Sequence, residues 1–262
     1  DRWDYNAKSA FCLAQLGDAP MKHRCVAMFI DEAQDMGPNT LRLLASLVKQ
    51  TDATDPNSRA INFFYDNAQN VYDRPLPKWT ELGLDMRGRS TVMNESFRST
   101  RPITEYAVNL LYCLQPPDGD PDHRELVERD LLELTRQGER DWWQVRFAQT
   151  DGPNPVLKKY QSLDLELDAI GRQIVHWVHQ EGVAPGDICL IYNGQPVNSG
   201  IANRLRRSLH EQNIRLEVLT GRQVEIDSNT VLATTSQSFK GYDAEIVVIV
   251  SADAFVGGGK IL

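Results

Sequence analysis

No stretch of the 262-residue chain approaches the eighteen or so uninterrupted apolar residues of a membrane-spanning helix. Its first residues, Asp1-Arg-Trp-Asp4, lack the basic and apolar pattern of a secretory leader. Cysteine is scarce, and Cys12, Cys25, Cys113 and Cys189 are scattered with no C-x-x-C pair. That pattern implies neither disulfides nor structural zinc, and it reads as small core side chains in a reducing, cytoplasmic compartment. Missing too is the string G-x-x-x-x-G-K-[ST] with which a phosphate-binding loop cradles a nucleotide. Gly257-Gly-Gly-Lys260 imitates it, but the glycine spacing is wrong and Ile261 stands where a hydroxyl is required.

Positive charge is also in deficit, with 28 Lys and Arg against 36 Asp and Glu, a net −8. Such a balance argues against coating nucleic acid electrostatically. Half of the imbalance lies in residues 116–146, however, where nine acids face five arginines. A protein that grips one strand needs only a local groove, because stacking supplies roughly 1–3 kcal/mol per base. Net charge therefore does not decide the matter.

What is present begins with Val26-Ala-Met-Phe-Ile-Asp-Glu-Ala-Gln-Asp35. A continuous apolar run reads as a buried parallel strand, and ligand sites of open α/β sheets lie beyond the carboxyl ends of such strands. Asp31 is then placed to hold Mg²⁺ beside a nucleotide, and Glu32 to orient and deprotonate a water. That is a Walker B element. The alternative is a core strand running into an acidic helix N-terminus, where carboxylates favour the dipole.

Further blocks follow in order. Ala60-Ile-Asn-Phe-Phe-Tyr65 predicts a second strand, with Asp66-Asn-Ala-Gln-Asn-Val-Tyr72 behind it. Next come Asn94-Glu-Ser-Phe-Arg-Ser-Thr100 and Thr234-Thr-Ser-Gln-Ser-Phe-Lys-Gly-Tyr-Asp243. From about residue 26 to about residue 250, these blocks resemble motifs II, III, IV and V of the UvrD/Rep-type superfamily 1 DNA helicases. In that family a P-loop lies upstream of the Asp-Glu pair and a last motif follows motif V. The resemblance therefore implies a helicase fragment, inactive by itself for want of the phosphate cradle.

The resemblance implies an ATP-dependent motor that uses Mg²⁺ and moves 3′→5′ on single-stranded or partly duplex DNA. Asp31 would hold Mg²⁺, Glu32 would activate water, and Gln69 and Arg98 would sense the γ-phosphate. Phe97 would stack on adenine where the family has Tyr, and Asp243 would touch the ribose where it has Glu. Tyr72, Trp79, Thr235, Gln237 and Ser238 would meet DNA. Gln237 stands where most relatives carry His, and Tyr65 replaces the usual glycine, so both loops depart from the family pattern. Two other readings stay open: a helicase-derived DNA-binding or interaction module without catalysis, and the motor part of a helicase–nuclease fusion.

The expected fold is α/β, with two RecA-like parallel-sheet domains, the first incomplete. Residues 1–115 make the first and 116–262 the second, divided at Pro116-Pro117, with no large inserted domain. Apolar spacing predicts helices after Gly37-Pro38 to about Gln50, and from Thr100 with Ile103, Ala107, Leu110 and Leu111 inward. Leu126, Leu131, Leu132 and Leu134 suggest another. A helix over 163–181 turns Leu167, Ile170, Ile174 and Trp177 to one face and closes at Gly182. Strands at 187–192, 215–219, 231 onward and 244–250 alternate with a helix over 200–212, as in a parallel sheet. His176 and His179, three apart on the 163–181 helix, read as a solvated face with no third metal ligand beside them.

Overall fold

A computed structural model describes residues 4–16, 25–52, 54–55, 58–65, 79–86, 88–89, 91, 99–114, 121–138, 140–194, 199–219 and 227–255. The chain is an α/β protein whose contacts divide it into two compact units, Asp1–Val92 and Met93–Leu262. Among the described residues, no helix is long and apolar enough to cross a membrane.

In the first unit, α1 (Tyr5–Leu16) is followed by β1 (Ala27–Ile30), α2 (Pro38–Leu47) and β2 (Ala60–Phe63). The two strands run parallel, with Ala27 opposite Ala60 and Ile30 opposite Phe63. Leu41 and Ala45 of α2 are buried. Ile30, Ala33, Leu41, Leu82 and Leu84 form the core, with Met28, Ile61, Phe63 and Trp79 packed against it. The helix ends earlier than its apolar spacing suggests. Val48 is extended, and Cys25 and Val48 form a parallel bridge.

Burial of β1 is one-sided, which corrects the reading of its apolar run as a strand buried on both faces. Ile30 points into the core, while Phe29 is 70 % exposed and stacks on Phe64 with ring centroids 6.5 Å apart. Side chains alternate across a strand, and the core cluster covers only the face that carries Ile30.

The start of α2 shows how α1 and α2 are joined. Its N-cap is Gly37, which offers no side chain, and Pro38 occupies the first turn. Asn6 of α1 supplies the missing acceptor: its Oδ1 accepts from the Asn39 backbone N–H at 2.9 Å. A Cβ on Gly37 would collide with that Asn6 side chain, so the glycine makes room for a cap delivered from another helix. Loss of a capping side chain costs about 1 kcal/mol. Asn6→Ala is therefore expected to lower stability by about that amount in urea unfolding. An unchanged midpoint would show that water replaces the amide.

The second unit contains an antiparallel hairpin and a parallel sheet. The hairpin pairs β3 (Leu132–Gln137) with β4 (Arg140–Val145) and follows α3 (Arg101–Leu114) and α4 (Pro121–Glu128). Leu132 and Leu134 thus lie in a strand, although their spacing with Leu126 suggested a helix. Asp130 breaks the helix by adopting φ 59. Around it Leu131 N–H donates to Leu126 O at 2.9 Å and Asp130 N–H to Val127 O at 3.0 Å. This is the paired C-terminal cap that usually recruits glycine.

Helix α3 buries a different face from the one its apolar spacing predicts. Ile103 and Leu110, expected inward with Ala107, are 47 % and 48 % exposed. The helix instead turns Glu105, Val108, Asn109 and Tyr112 toward the hairpin. Asn109 is 3 % exposed; its Nδ2 donates to Trp143 O and its Oδ1 accepts from Trp143 N–H, both at 2.8 Å. Glu105 Oε1 accepts from Val145 N–H at 3.1 Å. Polar side chains of α3 thereby satisfy the backbone edge of β4, which an edge strand otherwise leaves open.

The parallel sheet has the order β6 (Arg215–Val218), β7 (Thr230–Thr235), β5 (Ile188–Tyr192), β8 (Ile246–Ile249). Helices α5 (Leu163–Gln180) and α6 (Ser199–His210) supply its main core. There Leu167, Ile170, Ile174, Leu205 and Leu209 meet Ile188, Leu190, Leu216, Val231 and Ala233. Ser162 caps α5 by accepting from Leu165 N–H at 3.3 Å. Gly182, at φ +73, takes the left-handed conformation just after it. Gly186 is required for close approach, since a Cβ there would lie 2.6 Å from Ser228 Cα.

Cysteine burial is divided. Cys189 lies inside the sheet, and burial pushes its thiol up to about 12, which makes it an inert core group. Cys12 and Cys25 are exposed, contrary to their expected place in a core.

Candidate functional site

In a parallel β-α-β unit, both strands end at the same edge. Here that edge carries Asp31 and Glu32, immediately after Ile30. The ends of the strands are tied together beyond the ladder: Phe64 N–H donates to Ile30 O at 2.8 Å and Ala33 N–H to Phe64 O at 3.0 Å. Between those two bonds the chain must turn sharply. Glu32 makes the turn with φ 52 and ψ 40, the left-handed region that a residue with a Cβ seldom enters. Asp31 Oδ1 accepts from the Glu32 N–H at 2.9 Å and stabilises that conformation.

A short 3-10 turn, Ala33–Asp35, follows. It folds Gln34 back beneath the strand end, where Gln34 is 1 % exposed. Its Nε2 donates to Glu32 Oε2 at 2.6 Å. Asp31 is exposed and Glu32 half-buried. One carboxylate thus reaches solvent at the strand end, and its neighbour is held by a buried amide. Sequence reasoning placed Asp31 and Glu32 correctly at a strand end but did not find the Gln34 contact. Its only signal is a Gln two residues after the Glu, a spacing that points away from Glu32 in a regular α-helix and toward it in this turn.

Trp79 opens a 3-10 turn at Trp79–Leu82. Its ring is half-buried, 4.9 Å from Phe63 and 5.9 Å from Tyr65 between centroids, and belongs to the first unit's core. Gln69, Tyr72, Phe97 and Arg98 lie outside the described residues.

The other candidates gather at the end of β7. Thr235 is the N-cap of α7 (Ser236–Phe239), and its Oγ1 accepts from Ser238 N–H at 3.3 Å. Gln237 is exposed on this turn, with its Oε1 accepting from Ser236 Oγ at 3.2 Å. Gly241, at φ +88, then redirects the chain so that Tyr242 stacks on Phe239 and exposed Asp243 leads toward β8. The structure therefore brings Thr235, Gln237 and Ser238 together in one turn at the carboxyl edge of the four-stranded sheet. Asp243 lies farther along the connection.

Two groups at the same sheet edge had no sequence signal. Asn193 follows β5 and donates through Nδ2 to Ala254 O at 2.7 Å. Glu166 of α5 accepts from Ser251 N–H at 2.7 Å, holding the chain as it leaves β8 with Ser251 at φ 51. On α5, His176 meets Glu181 at 3.1 Å and His179 lies 3.1 Å from Gln212 O. Among the described residues, no group of three or more His, Cys, Asp or Glu is arranged to hold a metal ion. A Mg²⁺ ion does not require such a cage, being held commonly by one or two carboxylates, waters and substrate phosphates. Exposed Asp31 suits that mode.

No family model matches the chain, and no curated protein matches it.

Proposed function

We propose that this chain is the motor portion of an ATP-dependent DNA helicase or translocase built from two RecA-like domains. The observation that carries the proposal is the acidic pair at the shared carboxyl edge of a parallel β-α-β unit, with Glu32 held by a buried amide. That placement supports reading Asp31 and Glu32 as a Walker B element. Its support is the ordered set of blocks from Asp31 to Asp243.

The proposed chemistry is phosphoryl transfer to water. Mg²⁺ on Asp31 would neutralise charge on the phosphate oxygens. Glu32 would accept a proton from the attacking water, its carboxylate already oriented through Oε2. Gln69 is assigned to the γ-phosphate, where a side-chain amide can donate to an oxygen and accept from water. Arg98 joins it, since a guanidinium suits distributed phosphate charge. Thr235, Gln237 and Ser238 are the proposed DNA contacts at the sheet edge of the second unit, with hydroxyls and an amide that suit phosphate oxygens. Tyr72 and Trp79 are the stacking candidates. Trp79 would have to work from its present aromatic cluster.

Nucleotide titration tests the assignment in a protein that carries this chain together with a P-loop. A charge-assisted contact to the γ-phosphate is worth roughly 1.5–3 kcal/mol. Arg98→Ala is therefore expected to weaken a non-hydrolysable ATP analogue about ten-fold or more and leave ADP nearly unchanged. Phe97→Ala should weaken both, because adenine stacking is common to them. Equal losses in Arg98→Ala, or none in either variant, would make Ser96-Phe97-Arg98 a packing segment. This chain by itself, without the phosphate cradle, should show no appreciable DNA-stimulated hydrolysis.

A further inference from the structure

We infer that Gln34 is a positioning residue for Glu32, a buried amide whose contact with one carboxylate oxygen sets the direction in which the carboxylate is presented. The inference rests on the proposed role of Glu32 as the group that activates water, and it adds a residue to which that role is coupled. Three features of the strand end lead to it. Nε2 of Gln34 donates to Oε2 of Glu32 at 2.6 Å, a short and charge-assisted contact. Gln34 is 1 % exposed, so its amide is removed from water and its rotamer is set by the surrounding core. Glu32 itself sits at φ 52 and ψ 40, so its side chain leaves the backbone in a direction that no regular strand or helix would give.

These features explain one another. Left-handed backbone at a residue with a Cβ costs about 1 kcal/mol or more. The turn is closed by Asp31 Oδ1 on the Glu32 N–H, by Ala33 N–H on Phe64 O and by Asp35 N–H on Glu32 O at 2.9 Å. Such a backbone aims the carboxylate, but the side chain still has rotamers to choose from. The buried Gln34 amide selects among them. Water activation requires the base to be held within about 0.5 Å of its working position by groups whose own rotamers are locked, and Gln34 meets that description. The rival role is core filling beneath β1, in which the contact with Glu32 is incidental.

A double-mutant cycle separates the two roles. The test protein carries this chain together with a P-loop, and the variants are Gln34→Met, which keeps length and volume but removes the donor, Glu32→Gln, and both together. The measurements are DNA-stimulated ATP turnover and affinity for a non-hydrolysable ATP analogue. Removing an outer group that orients a working one typically costs about 10–100-fold in activity. Gln34→Met is expected to lower kcat about ten-fold or more and to leave analogue affinity within about two-fold. In the Glu32→Gln background the same change should alter turnover by less than about two-fold.

A readout without nucleotide accompanies the cycle and needs no change at Gln34. In the same protein, labelled with ¹⁵N-glutamine, Glu32→Ala should shift the Gln34 side-chain amide resonances. Unshifted resonances would overturn the contact. Equal fold-losses from Gln34→Met in both backgrounds, or no loss while Glu32→Gln is strongly impaired, would leave Gln34 as core filling and the proposed function intact. Near-normal turnover in Glu32→Gln would instead remove the proposed function and this inference together.

Discussion

Glu32→Gln is expected to abolish most nucleotide turnover while sparing nucleotide binding, in a protein that carries this chain together with a P-loop. The change replaces a carboxylate by an amide of the same length. The new carbonyl oxygen can still accept from Gln34 Nε2, the contact that Glu32 Oε2 makes at 2.6 Å. The left-handed turn is held by backbone groups and by Asp31, so it survives as well. What disappears is the ability to take a proton from water. General-base assistance contributes about 10²–10⁴-fold, and turnover should fall by that order. Affinity for a non-hydrolysable ATP analogue should stay near its original value, because Asp31 and the other groups proposed to contact phosphate are untouched. Measuring both quantities on one preparation decides the matter. Near-normal hydrolysis would assign the carboxylate to another task, such as closing the turn.

Asn109→Leu is expected to produce a large loss of stability in the second unit although it removes no apolar contact from the core. The substitution keeps the number and branching of side-chain heavy atoms but removes the contacts with both backbone groups of Trp143, each at 2.8 Å. A buried backbone group left without its partner costs about 1–3 kcal/mol. With both Trp143 groups affected, the loss should be about 3 kcal/mol. For a unit of this size that corresponds to a fall in Tm of roughly 6–12 °C. Amide exchange at Trp143 should accelerate before the parallel sheet is affected, because the hairpin is where the edge opens. Glu105→Gln makes a useful contrast, since it retains an acceptor for the Val145 N–H. It should be nearly neutral. A loss equal to that of Asn109→Leu would mean the α3–β4 contact depends on charge more than on edge pairing.

The elements most legible in the sequence were those whose residues carry a local signal. Helix α5 was bounded by its periodic apolar face and by Gly182, and the structure places it at Leu163–Gln180 with Leu167, Ile170 and Ile174 buried. The strands at 188–192, 215–218, 230–235 and 246–249 fall within or beside their expected spans, and all run parallel. At the candidate site, the same local signal placed Asp31 and Glu32 at a strand end. Adjacent carboxylates after an apolar run are visible without any knowledge of what packs nearby.

Three decisions were made elsewhere. The apolar spacing of α3 pointed Ile103 and Leu110 inward, yet the helix buries Asn109, because β4 presents a backbone edge whose hydrogen bonds a polar side chain can satisfy. The leucines at 132 and 134 fitted helical spacing with Leu126, but a left-handed Asp130 ended the helix and pairing with β4 made a strand of them. The left-handed Glu32 and the inward fold of Gln34 depend on Phe64, which lies beyond α2 and β2 and bonds to both sides of the turn.

By itself, then, the sequence determined the α/β class, the succession of strands and helices in the second unit, and the strand-end position of the acidic pair. Periodicity and turn chemistry act over a few residues, and they write those features directly into the chain. Only the tertiary structure decided which face of α3 is buried, where α4 yields to a strand, and how Glu32 is aimed. Each of these turns on hydrogen bonds between residues far apart in sequence. Satisfying a buried polar group there outweighs the local preference that the apolar pattern expresses.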